Sequence, residues 1–570
     1  MSKGYILGIS CGYHDSAACL IKDGRVLGAC EEERFTGIKH DNSFPIKSIA
    51  HLYAKNKVQK DDVEAICFYE NPKRKLDRIE QTTKRGHWLW NYFTRRRIIK
   101  RNKKEYDKLN ITLNSITGKD TKIVFSDHHN SHINYSYLTS PFEEANILSI
   151  DGVGEWETTV LAKGSKNKIQ NLGSINFPHS LGMLYSTMTA FLGFKPNEGE
   201  YKVMGLAPYG NSSIYLDKFK SLYNLNEDGG FELNMKYFTY DYSDKIMFNE
   251  NLGELFGITN RLPEEPLEEH HKDLAATLQT VYELLFFRLL NKLYKENPTE
   301  NICLSGGCAY NGTANGKILD KTPYKNIWIP PAPSDAGSAV GCALEYYYKE
   351  NDEPRKVNTS PFLGPEYSRV EIEKMLLKYD DDVYFEAKLY EQIVEIVADE
   401  ITDGNIIGWF QGRSEFGARA LGNRSIFANP RDPQMKSRLN RMIKKREGFR
   451  PFAPIVQEES FKEYFDYDIK VPYMNQVVKV KQEHRRDLPS ITHVDGSARI
   501  QTLNRNRHRH VYDLLTQLKI RNKYPIVINT SFNLKDQTMV LTPEDAIKTF
   551  LNCEMDTLIL DKFVVKKKIL

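Results

Sequence analysis

The sequence predicts a mixed α/β protein of two large domains, the first built from an internal duplication. Three observations carry this. A pattern of strand, polar loop and hairpin occurs twice, at residues 5–34 and 145–175. Stretches of helical periodicity follow each copy. A Pro-, Asn-, Ser- and Gly-containing segment with little apolar content, "NDEPRKVNTSPFLGPEYS" (351–368), then separates the duplicated part from the rest. The expected division is a first domain over 1–350, a linker over 351–368 and a second domain over 369–570.

In the first copy, "YILGIS" reads as a strand and "SAACLIKDGRVLGACEEER" as a hairpin turning at Asp23-Gly24. In the second, "ANILSIDGVGEWETTVLAKGSKNKIQNLGSI" repeats that order with a Gly-containing loop after the strand. Between them, residues 71–118 are rich in Lys, Arg and aromatics. They read first as a solvated helical insert with its aromatics packed inward; a lid over substrate or a site for an anionic partner are the sharper readings. From Asp273 to Tyr294, Leu274, Leu278, Val281, Leu285 and Leu289 recur at helical spacing and predict a packed helix. It leads into the strand "NICLSGG". Gly306 and Gly307 there open a loop where a phosphate or sugar can approach backbone N–H groups closely; coupled to the duplicated units, it resembles the second nucleotide-facing loop of an actin-like ATPase fold. Beyond the linker come a helix, a turn at Asp403-Gly404, the strand "IIGWF", and later the strand "PIVIN" with "TSFN" and a helix starting near Pro543.

Composition bounds the function. Hydrophobic content of 40%, charged content of 27% and a net charge of +4 describe an ordinary globular chain and give no reason to expect a nucleic-acid partner. The eight cysteines, at 11, 19, 30, 67, 303, 308, 342 and 553, form no C-x-x-C pair and read as thiols of a reducing compartment. The apolar run at the N-terminus is too short for a signal peptide and no stretch approaches 18 apolar residues, so a cytoplasmic protein without membrane attachment is expected.

In "SDHHNSHINYSYLTS", His128 and His132 stand four apart and share one face of a helix. Asp151 follows the strand of the second copy, and Asp335 lies in "PPAPSDAGSAVG" just before a helix, where a carboxylate alone reads as an N-cap. Together the four make a two-imidazole, two-carboxylate donor set suited to Fe(II), Mn(II) or Zn(II). His129 points elsewhere on the helix and is expected in the core or in solvent. The loop "GYHDSA" places His14 after the first strand, where an imidazole has a pKa suited to general-base work; a hydrogen-bonded loop histidine is the plainer reading. In the second domain Arg413, Arg419, Arg424 and Arg431 alternate with glycines, and Lys444, Arg450 and Arg499 follow. Arginines beside glycines suit a concave phosphate site better than a helix surface. Asn529, Ser531 and Asn533 add hydrogen-bonding groups at a strand end.

The stretches "GYHDSAACL", "EEERFTGIKH", "DHHNSH", "IDGVGEWETT", "GEYKVMGLAPYG", "LSGGCAYN", "PSDAGSAVG", "GRSEFGARALGNRSI", "RPFAPIV" and "INTSFN" together resemble the NodU/CmcH family of O-carbamoyltransferases, in order and nearly end to end. The match is weakest at 71–118 and 211–265, where acceptor specificity could reside. The resemblance implies an actin-like (ASKHA), threonylcarbamoyl-transferase-like first domain and a YrdC-like second domain. It implies that the second domain makes carbamoyladenylate from carbamoyl phosphate and ATP, bound as its magnesium complex. The first would then pass the carbamoyl group to a hydroxyl of a small-molecule acceptor. His128, His132, Asp151 and Asp335 match the family's metal ligands, iron favoured; His14 and Lys39 match the carbamoyl site. Gly152, Gly154, Glu155, Gly306, Gly307 and Asn311 would face the nucleotide in the first domain. Arg419, Arg424, Lys444, Arg450, Arg499, Asn529 and Ser531 would face carbamoyl phosphate and ATP in the second. A homodimer is the default oligomer. A tRNA threonylcarbamoyl-transferase-like enzyme, with the basic insert on RNA, is the alternative from another class, and a sugar kinase or nucleotide sensor a third.

Overall fold

The computed structural model describes residues 4–84, 88–448 and 450–568, and for 88–94 the backbone alone. The chain forms two compact units. The first comprises Met1–Ser10, Ala17–Leu27 and Leu52–Thr359, the second Cys11–Ser16, Gly28–His51 and Ser360–Leu570.

The first unit carries the duplication as two sheets of one topology. Strands β1 (Tyr5–Ser10), β2 (Ala17–Lys22), β3 (Arg25–Glu31), β4 (Val63–Phe68) and β5 (Lys122–Phe125) lie in the order β3-β2-β1-β4-β5. β6 (Glu144–Ile150), β7 (Glu157–Ser165) and β8 (Lys168–Asn176) precede a small hairpin of β9 (Tyr223–Leu225) and β10 (Phe231–Leu233). With β11 (Asn301–Ser305) and β12 (Asn326–Trp328) they form a second sheet in the order β12-β11-β6-β7-β8. In each sheet the leading strand pairs antiparallel with its hairpin partner and parallel with the strand that returns after a helix: β1 with β2 and β4, β6 with β7 and β11. β1 and β6 are buried along almost their whole length, as strands covered on both faces must be.

Two helices, His128–Leu138 and Asp335–Glu350, pack on each other through small residues. A Cβ on Gly341 would lie 1.8 Å from the Ser131 carbonyl oxygen, and one on Gly337 would lie 2.3 Å from the Tyr135 ring. On another side of the second helix, a Cβ on Gly8 of β1 would meet the Ala339 carbonyl at 1.8 Å. The helix predicted from Asp273 runs Glu269–Glu296, and Leu274, Leu278, Val281, Leu285 and Leu289 are all buried in it. The basic insert forms helices Pro72–Thr82 and Trp88–Ile116, and Arg97 and Arg101 of the second pair with Asp244. The inward packing expected of its aromatics at 88, 90, 92 and 93 lies outside the described residues. Among the described residues no helix is long and apolar enough to cross a membrane.

The second unit is built on an eight-stranded mixed sheet with a separate three-stranded one. Arg424–Ala428 lies between Ile407–Phe410 and Ile526–Ser531, antiparallel to both. Tyr390–Thr402 is helical and ends at Asp403, with Gly404 at φ 87°; the helix Pro543–Leu551 starts from a capping box of Thr542 and Asp545. The last passage of the chain between units is at Thr359–Ser360. The linear reading keeps all of 1–350 together, whereas residues 11–16 and 28–51 cluster with the second unit. Ala29 N–H donates to the Leu363 carbonyl at 3.1 Å and Arg34 Nη2 to the Gly417 carbonyl at 3.0 Å. Gly12 and Ser16 N–H groups bond the carbonyls of Asn42 and Asp41 in turn. Partners more than 300 residues away leave no local trace in sequence.

Candidate functional site: a four-donor cage and a cationic nest

In the first unit, His128 and His132 occupy the first two turns of their helix and Asp335 is the first residue of the partner helix. Asp151 follows β6. One donor atom from each lies within 4.8 Å of all the others. Asp151 Oδ2 is 3.2 Å from His128 Nε2 and 2.9 Å from His132 Nε2; Asp335 Oδ1 is 3.7 and 3.5 Å from the same atoms. The two Nε2 atoms stand 3.1 Å apart, a spacing that needs a proton or another cation between them. Burial disfavours the imidazolium of His128, yet Asp335 and Asp151 outweigh it and raise its pKa to about 9. Burial likewise opposes the Asp151 carboxylate, and the two histidines still hold it well below the usual range. Buried carboxylates facing buried imidazoles therefore ask for positive charge at their centre, and the donor set fits a divalent transition metal.

The supports are built into the elements. Ser338 Oγ, one turn beyond Asp335, lies 3.0 Å from His132 Nδ1; with Nδ1–H donating to it, Nε2 presents its lone pair to the cage. Both oxygens of Glu155 accept from the His128 N–H at 3.0 Å, and Asn71 N–H donates to one of them at 2.6 Å. Glu155, expected to face nucleotide, is thus engaged in anchoring the helix N-terminus. Asp335 is the first residue of its helix, the N-cap position being Ser334. His129 lies 2.9 Å from Ser149 Oγ and 3.1 Å from the Glu157 carbonyl through its two ring nitrogens, away from the cage.

Glycines bring backbone to the cage. Gly152 N–H donates to Asp151 Oδ1 at 2.7 Å, and a Cβ on Gly154 would press on His128 and His129 at 3.1–3.2 Å. Gly306, at φ 83°, lies so close to β6 that a Cβ would fall 2.1 Å from the Ile150 carbonyl; one on Gly307 would be 3.0 Å from Asp151 Oδ1. Asn311 is otherwise occupied: it caps a short helix through Ala314 N–H at 3.1 Å and exchanges hydrogen bonds with Gln279.

In the second unit, His14 Nδ1 lies 3.0 Å from Asp15 Oδ2, and His40 Nδ1 lies 2.7 Å from Asp15 Oδ1. Lys39 is exposed. The loop 415–423 is organised by Glu415, whose Oε1 accepts from the N–H groups of Leu421 and Asn423 at 2.7 and 2.9 Å. Asn529 Nδ2 donates to the Ala420 carbonyl at 2.9 Å, tying that loop to the sheet. Lys444 is buried, with Nζ 2.5 Å from the Ser531 carbonyl and 2.8 Å from Asn533 Oδ1. Burial first, then Arg446, Arg450 and Lys39, hold its ammonium well below the ordinary range. Arg499, partly reached by solvent, is depressed in the same way by burial and by Arg419, Arg446 and Arg450. Guanidinium groups stay charged, so this crowding is repulsion that an anion relieves.

Arg424 is a correction. It is completely buried, its Nη atoms donate to the carbonyls of Gln411, Asn423, Pro365 and Gly412, and its guanidinium lies 3.6 Å over the Phe410 ring. Burial lowers its pKa to about 10. Its donors serve the fold and are not presented to phosphate. Conversely, Arg446, Glu415, Ser338 and His40 belong to these sites and do not stand out in the sequence reading. Ser338 was findable by its i+3 spacing from Asp335, and Glu415 as the one acid among the glycines and arginines of its loop.

Known proteins place the chain. A carbamoyltransferase N-terminus model matches residues 5–344 and a carbamoyltransferase C-terminus model matches 398–567. An uncharacterized protein of Synechocystis sp. is 41% identical over 607 residues, covering 99% of this chain and 97% of that one. Nodulation protein NolNO of Sinorhizobium fredii is 35% identical, covering 97% and 79%. A 3'-hydroxymethylcephem-O-carbamoyltransferase of Amycolatopsis lactamdurans is 25% identical, covering 78% and 80%. With both halves matched in order, the chain belongs to the carbamoyltransferase family and is an enzyme of carbamoyl transfer.

Proposed function

We propose that the enzyme is an ATP-dependent O-carbamoyltransferase of the cytoplasm that works in two steps. The second unit, read as YrdC-like, converts carbamoyl phosphate and ATP to carbamoyladenylate, releasing pyrophosphate and phosphate. The N-terminal part of the chain, 1–350, read as actin-like, supports attack of an acceptor hydroxyl on the carbamoyl carbon with AMP as leaving group. The observation that carries the first step is the cationic nest of Arg419, Lys444, Arg446, Arg450 and Arg499, in which the cations crowd one another. Such a nest suits substrates that bring several phosphate charges. The acceptor is a small hydroxylated molecule, a reading supported by the relative that acts on a 3'-hydroxymethylcephem. His14 is the base for the acceptor hydroxyl, and Lys39 contacts carbamoyl or phosphate oxygens.

His128, His132, Asp151 and Asp335 would hold the metal, with iron preferred over manganese or zinc. Bound there, it would supply Lewis-acid polarisation and offset charge on the departing phosphate. Purified enzyme should release pyrophosphate only when carbamoyl phosphate and ATP are both present, and should do so without acceptor. An absence of pyrophosphate from active protein overturns the adenylate route.

A further inference from the structure

Asp15 and His40 are two of the few residues other than glycine with positive φ, at 50° and 53°. Left-handed backbone is uncommon outside glycine, and Asp and His are among the side chains that tolerate it. Here both residues turn toward each other from separate loops, one after β1 and one after β3. The Asp15 carboxylate bridges two imidazoles, Oδ2 at 3.0 Å from His14 Nδ1 and Oδ1 at 2.7 Å from His40 Nδ1. His40 is fixed in turn, its N–H donating to Glu33 Oε2 at 2.9 Å. Glu33 Oε1 is paired at 2.9 Å with Arg34, which also binds Glu31 and the Gly417 carbonyl. A continuous line of charge-assisted bonds therefore runs from the loop that precedes Arg419 to His14.

We propose that Asp15 is the positioning residue of the reaction's base, a carboxylate that fixes the tautomer of His14 and is itself clamped by His40. The proposal rests on the reading of His14 as base. Burial works against the Asp15 carboxylate, but the bonds from His14 and His40 keep it ionised and so an acceptor only. Each imidazole must then carry its proton on Nδ1, which leaves proton acceptance by His14 to Nε2. In the transfer step the acceptor oxygen forms its bond to the carbamoyl carbon while its proton passes to Nε2. The bond from that carbon to the phosphate oxygen breaks, and its electron pair leaves with AMP. A histidine in the other tautomer holds a proton on Nε2 and cannot take one there.

The test uses full-length protein labelled with 15N in its imidazoles, with His14→Gln identifying the His14 signals. We expect the Nδ1–H tautomer in the wild type and loss of that preference in Asp15→Asn. His14 as the Nε2–H tautomer, or a spectrum unmoved by Asp15→Asn, overturns the proposal. Kinetics separate the two ideas, with 3'-hydroxymethylcephem as probe acceptor. Asp15→Asn should lower kcat about 100-fold with little change in KM, and should cost almost nothing further in a His14→Gln background. Equal losses in both backgrounds also overturn the role of Asp15. Full transfer by His14→Gln removes the base reading instead, while the tautomer result stands on its own.

Discussion

Arg424 and Arg499 look alike in sequence, two arginines in a glycine-rich domain, and they do opposite work. Arg424 satisfies four carbonyls in a dry interior, so removing it strands acceptors whose desolvation is not repaid. Arg499 stands among Arg419, Arg446 and Arg450, so removing it relieves like-charge crowding. Arg424→Ala is expected to cost about 3 kcal/mol or more in denaturant unfolding of the second unit. Arg499→Ala should unfold at or above the wild-type midpoint while raising KM for ATP or carbamoyl phosphate at least tenfold. Equal stability losses in the two variants would show that both arginines are structural. Residue type and spacing made the cationic character of this domain legible. They could not tell which cations turn inward, because that depends on carbonyls brought from Pro365 and Gln411 by folding.

At the scale of elements, the four-donor cage depends on how closely two helices approach. His128 and His132 come from one helix and Asp335 from the other, and Gly337 and Gly341 let the backbones touch. Any Cβ at Gly341 would overlap the Ser131 carbonyl at 1.8 Å and force the helices apart near Asp335. Gly341→Ala should therefore lose about 1–3 kcal/mol of stability and also lower the metal bound per chain, read by unfolding and by elemental analysis of one preparation. Loss of stability with metal content intact would mean that the cage tolerates helix separation. The His-x-x-x-His spacing and the small residues after Asp335 were both plain in "SDHHNSH" and "PSDAGSAVG". The strand–hairpin duplication was legible too, because short apolar runs bounded by polar loops and a turn at Asp23-Gly24 are local signals. What stayed hidden was the contact between small residues, since glycine spacing does not say which helix will lie against it.

At the scale of the whole molecule, the cage and the cationic nest are built by different units from different parts of the chain. The four donors of the cage lie between residues 128 and 335, and the nest draws on residues between 415 and 533 with Lys39 from the N-terminal segment. Chemistry divided in this way is separable by mutation. His132→Ala removes the imidazole that faces both Asp151 and Asp335. Bound metal should fall by most of its wild-type content, and carbamoylation of acceptor should drop by at least 100-fold. Pyrophosphate release from carbamoyl phosphate and ATP should persist within a few-fold of wild type, because the nest is assembled from other stretches of the chain than the cage. Loss of both half-reactions in a protein that still folds would show that the cage serves adenylation as well, and would join the two centres into one.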